Sequence, residues 1–314
     1  MAHEVETMAF FGETPWHGLG TKLEEADLTN WETACVKAGL DWSVEKVGLQ
    51  TVDTQKAVTH FATRRSTDGS ILGVVGPRYV PLQNKEAFKW FEPFLTAQEA
   101  SLHTAGSLKS GSRVWVLAKL NRVPIVIVPG DEVQKFLLLS HSHDGTLAIR
   151  CGFTPVRVVC ANTLAMAHGS DASKLIRIRH AGNVLANLNA VREVMNLADQ
   201  EFQATALQYK ALASKHINQS DLRTYVKKVL QIEEPESEIS TRSSNIIKSI
   251  VDLAETGKGN DLAGVRGTAW AAYNAVTQYL SYDRGNNNAN RLDALWFGES
   301  ANTNKLALET ALAI

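Results

Sequence analysis

Cysteine is scarce in this chain, and the few cysteines are not spaced as disulfide pairs. The 314 residues contain three of them, Cys35, Cys151 and Cys160. Their number is odd, and small secreted domains held by disulfides are far richer in cysteine. We therefore expect reduced, buried thiols, as in a protein of the cytoplasm.

The chain also lacks long apolar runs. Its first residues include several acidic side chains and no apolar stretch of the length that a signal peptide needs. No segment approaches the roughly 20 apolar residues of a membrane helix. These absences predict a soluble protein of the host-cell cytoplasm that has no membrane partner.

Glycine-rich phosphate loops are missing as well. The nearest arrangements are Gly18-x-Gly20 and Gly264-Val265-Arg266-Gly267. Neither has the G-x-G-x-x-G spacing, placed between a strand and a helix, that binds dinucleotides. The sequence predicts no cofactor and no ATP- or NAD-dependent chemistry, and we expect a protein that is not an enzyme.

What remains is the composition of an ordinary globular protein, with 44% hydrophobic and 21% charged residues. Alternating apolar runs and turn residues predict an α+β fold with a basic, antiparallel, β-rich central section between helices and a mostly helical C-terminal third. We predict an α+β domain over residues 1–182. A helical region over residues 183–314 is expected to pack on it or to mediate assembly.

Local signals place several elements. Asn30 and Asn84 are expected to cap helices over residues 31–38 and 85–97. Asp68-Gly69 and Asp144-Gly145 are typical of tight hairpin turns. Apolar residues spaced by 4 and 3 between Val184 and Leu212 predict one helix of about thirty residues.

Net charge is −1, but the charge is unevenly distributed. Residues 101–180 hold ten basic and four acidic side chains, and residues 1–50 hold three basic and nine acidic ones. A local excess of one sign can attract a polyanion even when the whole chain is nearly neutral. The alternative is that charge simply fluctuates along the chain.

Nucleic-acid binding requires cations for phosphates and flat rings for bases. On a strand with period-2 alternation, Arg113 and Trp115 share a face, and so do Arg177 and Arg179. The candidate contacts are Lys109, Arg113, Trp115, Arg150, Phe153, Arg157, Lys174, Arg177 and Arg179, with Arg284 and Arg291 in a polar C-terminal loop. The alternative is that the rings belong to the core and the arginines form a solvated face.

A metal site is the second chemical possibility. His141, His143 and Asp144 lie close together, and residues i and i+2 of a strand point the same way. Structural zinc sites usually show paired spacings such as C-x₂-C, which are absent here. The simpler interpretation is a hairpin with two surface or hydrogen-bonding histidines. Cys160 and His168 are a further candidate pair of nucleophile and base, but they lie eight residues apart across a short predicted helix and lack a third member. The simpler interpretation is a buried thiol and a histidine at a helix end.

Several short motifs resemble a phage/plasmid-like protein family of unknown function that is found in phages, prophages and plasmids. They are the opening Met-Ala-His with PWHGLG at 15–20, GSRVW at 111–115, SHDG at 142–145, VRVVCANT at 156–163, AYNAV at 272–276 and Phe297-Gly298. The resemblance covers nearly the whole chain. It implies a mobile-element origin and carries no established activity.

Mobile elements commonly encode DNA-handling proteins, and a basic β-rich section before helices is similar in outline to single-strand annealing proteins of the RecT and Red-beta type. We therefore expect a phage- or plasmid-encoded single-stranded DNA-binding protein, with homo-oligomeric annealing in recombination, as a ring or filament, as a candidate activity. The alternatives are a metal-dependent hydrolase or nuclease using His141, His143 and Asp144, and an anti-defence or regulatory protein that binds a host protein.

Overall fold

The structure is a computed structural model that describes residues 5–12, 19–157, 162–163, 176–194, 198–284, 294–295 and 298–314. It confirms the predicted α+β class, because a large, mainly antiparallel sheet is followed by a helical C-terminal region. Cys35 and Cys151 are free and buried, as predicted, and Cys160 lies outside the described residues. Within those residues, no helix combines the length and apolar character needed to cross a membrane.

The chain divides into two compact units. The first comprises Met1–Arg122, Phe136–Phe153 and Lys174–Leu197, and the second comprises Val123–Lys135, Thr154–Ser173 and Ala198–Ile314. The single boundary predicted after residue 182 does not reproduce this division. Two segments from the middle of the chain group with the C-terminal helices, which a linear scan of composition does not reveal.

The strands are short to medium in length. In chain order they are β1 (Val5–Phe10), β2 (Thr21–Lys22), β3 (Val44–Gln50), β4 (Ala57–Arg65), β5 (Ile71–Val75), β6 (Ala100–Leu108), β7 (Arg113–Leu120), β8 (Ile125–Val128), β9 (Asp131–Ser142), β10 (Ile149–Arg157), β11 (Asn162–Thr163) and β12 (Ile176–Ile178).

The helices are also numbered along the chain. They are α1 (Trp31–Lys37), α2 (Asn84–Lys89), α3 (Glu92–Thr96), α4 (Val184–Val194), α5 (Ala198–Ser214), α6 (Gln219–Val229), α7 (Thr241–Thr256), α8 (Ala269–Gln278) and α9 (Glu299–Ala313). The described residues also include two 3₁₀ turns, Glu25–Asp27 and Glu236–Glu238, and a π-helical turn, Tyr279–Asp283.

The large sheet of the first unit has the spatial order β10, β9, β7, β6, β1, β2, and β12 pairs with the other side of β10. The pairs β1–β6, β6–β7, β7–β9 and β10–β12 are antiparallel, and β1 pairs with β2 in parallel. β9 is buried along nearly its whole length. A strand buried on both faces loses the polar–apolar alternation by which a half-exposed strand is recognised.

A smaller sheet in the same unit consists of β3, β4 and β5. The predicted turn at Asp68-Gly69 joins β4 to β5, and Gly69 has φ 73°, the left-handed conformation that such a turn needs. β5 approaches the connection between β9 and β10 closely, because a Cβ on Gly73 would lie 2.5 Å from the Cα of Asp144.

Of the two predicted capped helices, the first is confirmed and the second is only partly correct, because its cap is Gln83 and Asn84 is already its first helical residue. The cap of α1 is confirmed, because the side chain of Asn30 accepts a hydrogen bond from the Thr33 amide. The expected helix over 85–97 is instead divided into α2 and α3, with Pro93 in the first turn of α3. Proline has no amide hydrogen to donate and its ring clashes with the preceding helical turn, so the helix ends before it.

The apolar spacing between Val184 and Leu212 corresponds to two helices, α4 and α5, and residues 195–197 lie outside the described part. Val184 and Leu188 are buried in the core of the first unit. Tyr209 and Leu212 are buried in the core of the second, with α6, α7, α8 and α9. The repeat therefore supplies two separate cores.

In the second unit, β8 pairs with residues 131–133 of β9, and β11 pairs with the end of β10. α7 begins after Ser240, whose side chain accepts from the Ser243 amide, and α8 begins after Thr268. α8 is buried over all of its residues but the last, which places it at the centre of the helical core.

Candidate nucleic-acid interface

Arginine side chains are concentrated where β12 pairs with β10. Arg150 and Arg177 are direct cross-strand partners. Arg177 and Arg179 are exposed, whereas Ile178 and His180 are buried. Side chains alternate along an extended strand, so Arg177 and Arg179 share a face and are about 6.6 Å apart along the chain. Their shared face was predicted from the sequence.

Arg78 extends this group, and sequence reasoning missed it. The amide of Val80 donates to the carbonyl of His180 over 2.8 Å, which fixes the Arg78 segment beside the end of β12. Tyr79 stacks on the buried His180 ring, and Arg78, which precedes it in a turn, is exposed. We call Arg78, Arg150, Arg177 and Arg179 the basic strip.

Lys109 and Arg113 lie at the turn between β6 and β7. Lys109 is half-buried and has φ 52° in that turn. Arg113 is half-buried and donates to the hydroxyl of Thr146, 3.1 Å away, in the β9–β10 connection. Both cations are therefore held in turns rather than in the basic strip.

The two aromatic candidates are not free stacking platforms. Trp115 is 2% exposed, and its indole covers Gly106 so closely that a Cβ there would lie 2.4 Å from Cη2. Phe153 is half-buried and packs against the core of the first unit. The prediction that Trp115 stacks on a base is wrong, because no face of its ring is open to solvent.

Arg157 requires a similar correction, since its side chain is fully buried in the second unit and cannot contact phosphate. Its Nη2 lies 2.6 Å from Oδ2 of Asp131, and its Nε lies 2.8 Å from Oδ1. Asn260 accepts from Nη1, and the Gly259 carbonyl accepts from Nη2. Trp270 donates its indole N–H to Oδ2 of Asp131.

Of the three remaining candidates, the structure describes only Arg284. Arg284 is half-buried and forms an ion pair with Glu299 at 2.9 Å, at the first turn of α9. Lys174 and Arg291 lie outside the described residues, as do Cys160 and His168.

The two histidines singled out by the sequence are buried and face a third. The rings of His141 and His143 meet edge to face with centroids 4.8 Å apart, and the His180 ring is 6.2 Å from His141. We call these three residues the histidine cluster. Of the expected surface or hydrogen-bonding histidines, neither lies at the surface, because His141 and His143 are both 0% exposed, but His143 does form a hydrogen bond. His180 is 7% exposed.

Hydrogen bonds tie two of the three rings to distant segments. Nε2 of His143 lies 3.0 Å from Oδ1 of Asn84 in α2, and Nδ1 of His180 lies 3.1 Å from the Val80 carbonyl. Four other ring nitrogens have no hydrogen-bond partner among the described residues: both of His141, Nδ1 of His143 and Nε2 of His180. The His180 ring also faces the carbonyl of Leu147.

Burial keeps these imidazoles neutral. It lowers the pKa of His143 to about 3 and that of His141 well below its usual range. Burial also lowers the pKa of His180, although the Val80 and Leu147 carbonyls act in the opposite direction. Each lowered pKa reflects the loss of water around the charged form.

Asp144 does not complete a metal site with the histidines. Its carboxylate accepts from the amide and hydroxyl of Thr146, at 2.8 and 2.6 Å. Burial opposes its ionisation, but these hydrogen bonds outweigh burial and lower the pKa. Across the described part of the chain, no group of three His, Cys, Asp or Glu side chains is arranged to hold a metal ion.

Comparison with known proteins gives one family match. Searches of curated proteins and of solved structures return no match to the chain. A family model described as a domain of unknown function, DUF932, matches residues 71–296, which include most of both units. The chain therefore belongs to the DUF932 family.

Proposed function

We propose that the chain binds single-stranded DNA along the basic strip of its first unit. The observation that carries the proposal is the direct opposition of Arg150 and Arg177, with Arg179 two residues further along. Two guanidinium groups in this arrangement can hold one phosphate between them through charge-assisted hydrogen bonds.

The geometry also suits an extended strand of nucleic acid. Arg177 in β12 and Arg179 just after it present two cations about 6.6 Å apart along the chain, and a flexible single strand can adjust its phosphates to that spacing. Because Trp115 is buried, contacts are expected mainly at the phosphates. Binding should then depend strongly on salt and weakly on sequence.

Annealing by a homo-oligomer is the specific form that we propose. A protein that holds phosphates and leaves bases unstacked keeps them available for pairing with a second strand. Neighbouring copies would have to align their basic strips, as in a ring or filament. The hydrolase alternative has no comparable support, since Asp144 is engaged by Thr146 in its turn.

The test is fluorescence anisotropy with a labelled oligonucleotide at 50 and 200 mM salt. The full chain should bind at low salt, and the double variant R177E/R179E should bind at least tenfold more weakly. Each phosphate contact to a single strand contributes about 0.7 to the salt slope, so the variant should lose about 1.4 of it. The matched control is R242E/K248E, which reverses two exposed cations on α7.

Three outcomes would reject DNA binding by this strip: no binding at low salt, binding that does not respond to salt, or equal loss in the control variant. A solution mass measurement with and without the oligonucleotide tests the annealing form separately. A monomer in both conditions would exclude the ring or filament and leave simple DNA binding standing.

A further inference from the structure

The histidine cluster lies where four separate parts of the first unit meet. His141 and His143 come from the end of β9 and the residue after it, and His180 follows β12. The Tyr79 hydroxyl donates to the Ser142 carbonyl at 2.5 Å, and its ring stacks on His180 with centroids 4.7 Å apart. Trp42 contacts the edge of the His143 ring from the segment before β3.

The hydrogen bonds define where a further proton can be added. Nδ2 of Asn84 donates to the Trp42 carbonyl, so Oδ1 faces His143, and Nε2 of that ring carries the hydrogen. Nδ1 of His180 carries the hydrogen donated to Val80. Each of these rings therefore keeps one bare nitrogen, as does His141, whose two nitrogens are both unpartnered among the described residues.

We propose that the histidine cluster is a pH switch: proton uptake by its imidazoles releases the Tyr79–Val80 segment and the end of β12 from the large sheet. This inference does not depend on DNA binding. Its basis is the placement of two further basic rings within 6.2 Å of His141 in a buried space, where several ring nitrogens have no partner among the described residues and countercharges are few.

The charged groups around the histidine cluster offer little stabilisation to a protonated ring, which favours release of the Tyr79–Val80 segment. Asp144 is the nearest carboxylate, but Thr146 and Arg113 already engage that turn. Arg65 faces the His143 side, where it lies over the Trp42 ring, and its positive charge opposes protonation there. Lys46 donates to the carbonyls of Pro77 and Tyr79 on the other side.

His180 should be the first ring to take a proton. The carbonyls of Val80 and Leu147 favour its charged form, and Asp144 adds to that effect. While the Tyr79–Val80 segment stays in place, a protonated His180 faces the His141 and His143 rings, and its positive charge opposes their protonation. Opening removes that repulsion and hydrates the rings, so each proton taken up on opening makes opening about tenfold more favourable per pH unit.

The measurement is hydrogen exchange by NMR on the full chain without DNA, at pH 7.0, 6.0 and 5.0. The Val80 amide reports directly, because it donates to the His180 carbonyl. Corrected for the intrinsic rate, its protection should fall by at least tenfold per pH unit below about 6. Protection of the β6–β7 pairing should stay constant until global unfolding.

Two substitutions locate the effect. His180→Gln keeps a side-chain N–H for the Val80 carbonyl but cannot take a proton, so the Val80 protection should depend less steeply on pH, by about tenfold per pH unit below about 6. His141→Leu removes a second basic ring and should reduce the pH dependence while keeping the segment closed at pH 7. His60→Gln, on the exposed part of β4, is the matched control and should behave like the unsubstituted chain.

The proposal is wrong if the Val80 amide stays protected down to pH 5, or if it loses protection together with the β6–β7 pairing. It is also wrong if His180→Gln and His141→Leu both keep the original pH dependence.

Discussion

The first and second units each bury a polar cluster, and the two clusters solve the problem of burial differently. In the second unit, Arg157 and Asp131 are charged and fully buried. Every N–H of the guanidinium has an acceptor: Asp131 for Nε and Nη2, Asn260 and the Lys258 carbonyl for Nη1, and the Gly259 carbonyl for Nη2. In the first unit, the rings of the histidine cluster are neutral, and four of their nitrogens have no hydrogen-bond partner among the described residues.

The difference determines what each cluster responds to. A buried charge pair with complete hydrogen bonding depends on both partners, and removing one leaves an unpaired charge in a dry interior. Neutral imidazoles depend instead on the proton concentration, because each bare nitrogen can accept a proton once it reaches water. We therefore expect the second unit to be sensitive to substitution and the first to acid.

The largest effect should follow from breaking the charge pair with Asp131→Asn. This change keeps the shape but leaves Arg157 buried without a countercharge, and the loss should be about 3–5 kcal/mol of unfolding free energy. Urea unfolding followed by the fluorescence of Trp270 and the other tryptophans would measure it.

The double variant D131L/R157M is the control for this experiment. Replacing both charges by apolar side chains of similar volume removes the unpaired charge, so most of the lost stability should return. A loss below about 1 kcal/mol for Asp131→Asn would mean that water reaches Arg157 and that the comparison between the two clusters does not hold.

A smaller effect is expected from acid acting on the unsubstituted chain. The folded-state pKa values of His141 and His143 are lowered, so the unfolded chain binds more protons and stability falls as pH drops through the unfolded pKa of about 6.5. Between pH 7 and 5.5 these two residues should reduce the unfolding free energy of the first unit by about 2–3 kcal/mol.

Hydrogen exchange with mass spectrometry at increasing urea would compare the units directly. Peptides from β6 and β7 should open at lower urea at pH 5.5 than at pH 7, and peptides from α7 and α8 should change less. Equal shifts in the two units would contradict the comparison.

The parts of the fold that could be predicted are those with local causes. The cap of α1 at Asn30 and the turn at Asp68-Gly69 each follow from neighbouring residues. The α+β class followed from the spacing of apolar residues. The partition into two units could not be predicted in this way, because segments 123–135 and 154–173 group with helices distant in sequence.

The candidate site shows the same limit. Exposure of Arg177 and Arg179 followed from alternation in a strand with one polar face. Arg157 looked like a similar surface cation, and only the three-dimensional partner Asp131, 26 residues earlier, shows otherwise. His143 is buried because Asn84 and Trp42 approach it from distant parts of the chain. No local pattern encodes those contacts.

The smallest effect is expected from His141→Leu at pH 7. Unlike the other changes, it should increase the unfolding free energy. The side chain of His141 is fully buried and both ring nitrogens lack partners among the described residues. A buried polar group without a hydrogen bond costs about 1–3 kcal/mol, and leucine fills a similar volume without that cost. The substitution should therefore raise the unfolding free energy by about 1–2 kcal/mol, measured by urea unfolding.

The control is His60→Leu on the exposed part of β4, which should change the unfolding free energy by less than about 0.5 kcal/mol. A loss of stability in His141→Leu would indicate that the imidazole nitrogens do have partners, such as buried water, and the histidine cluster would then resemble the Arg157 network after all.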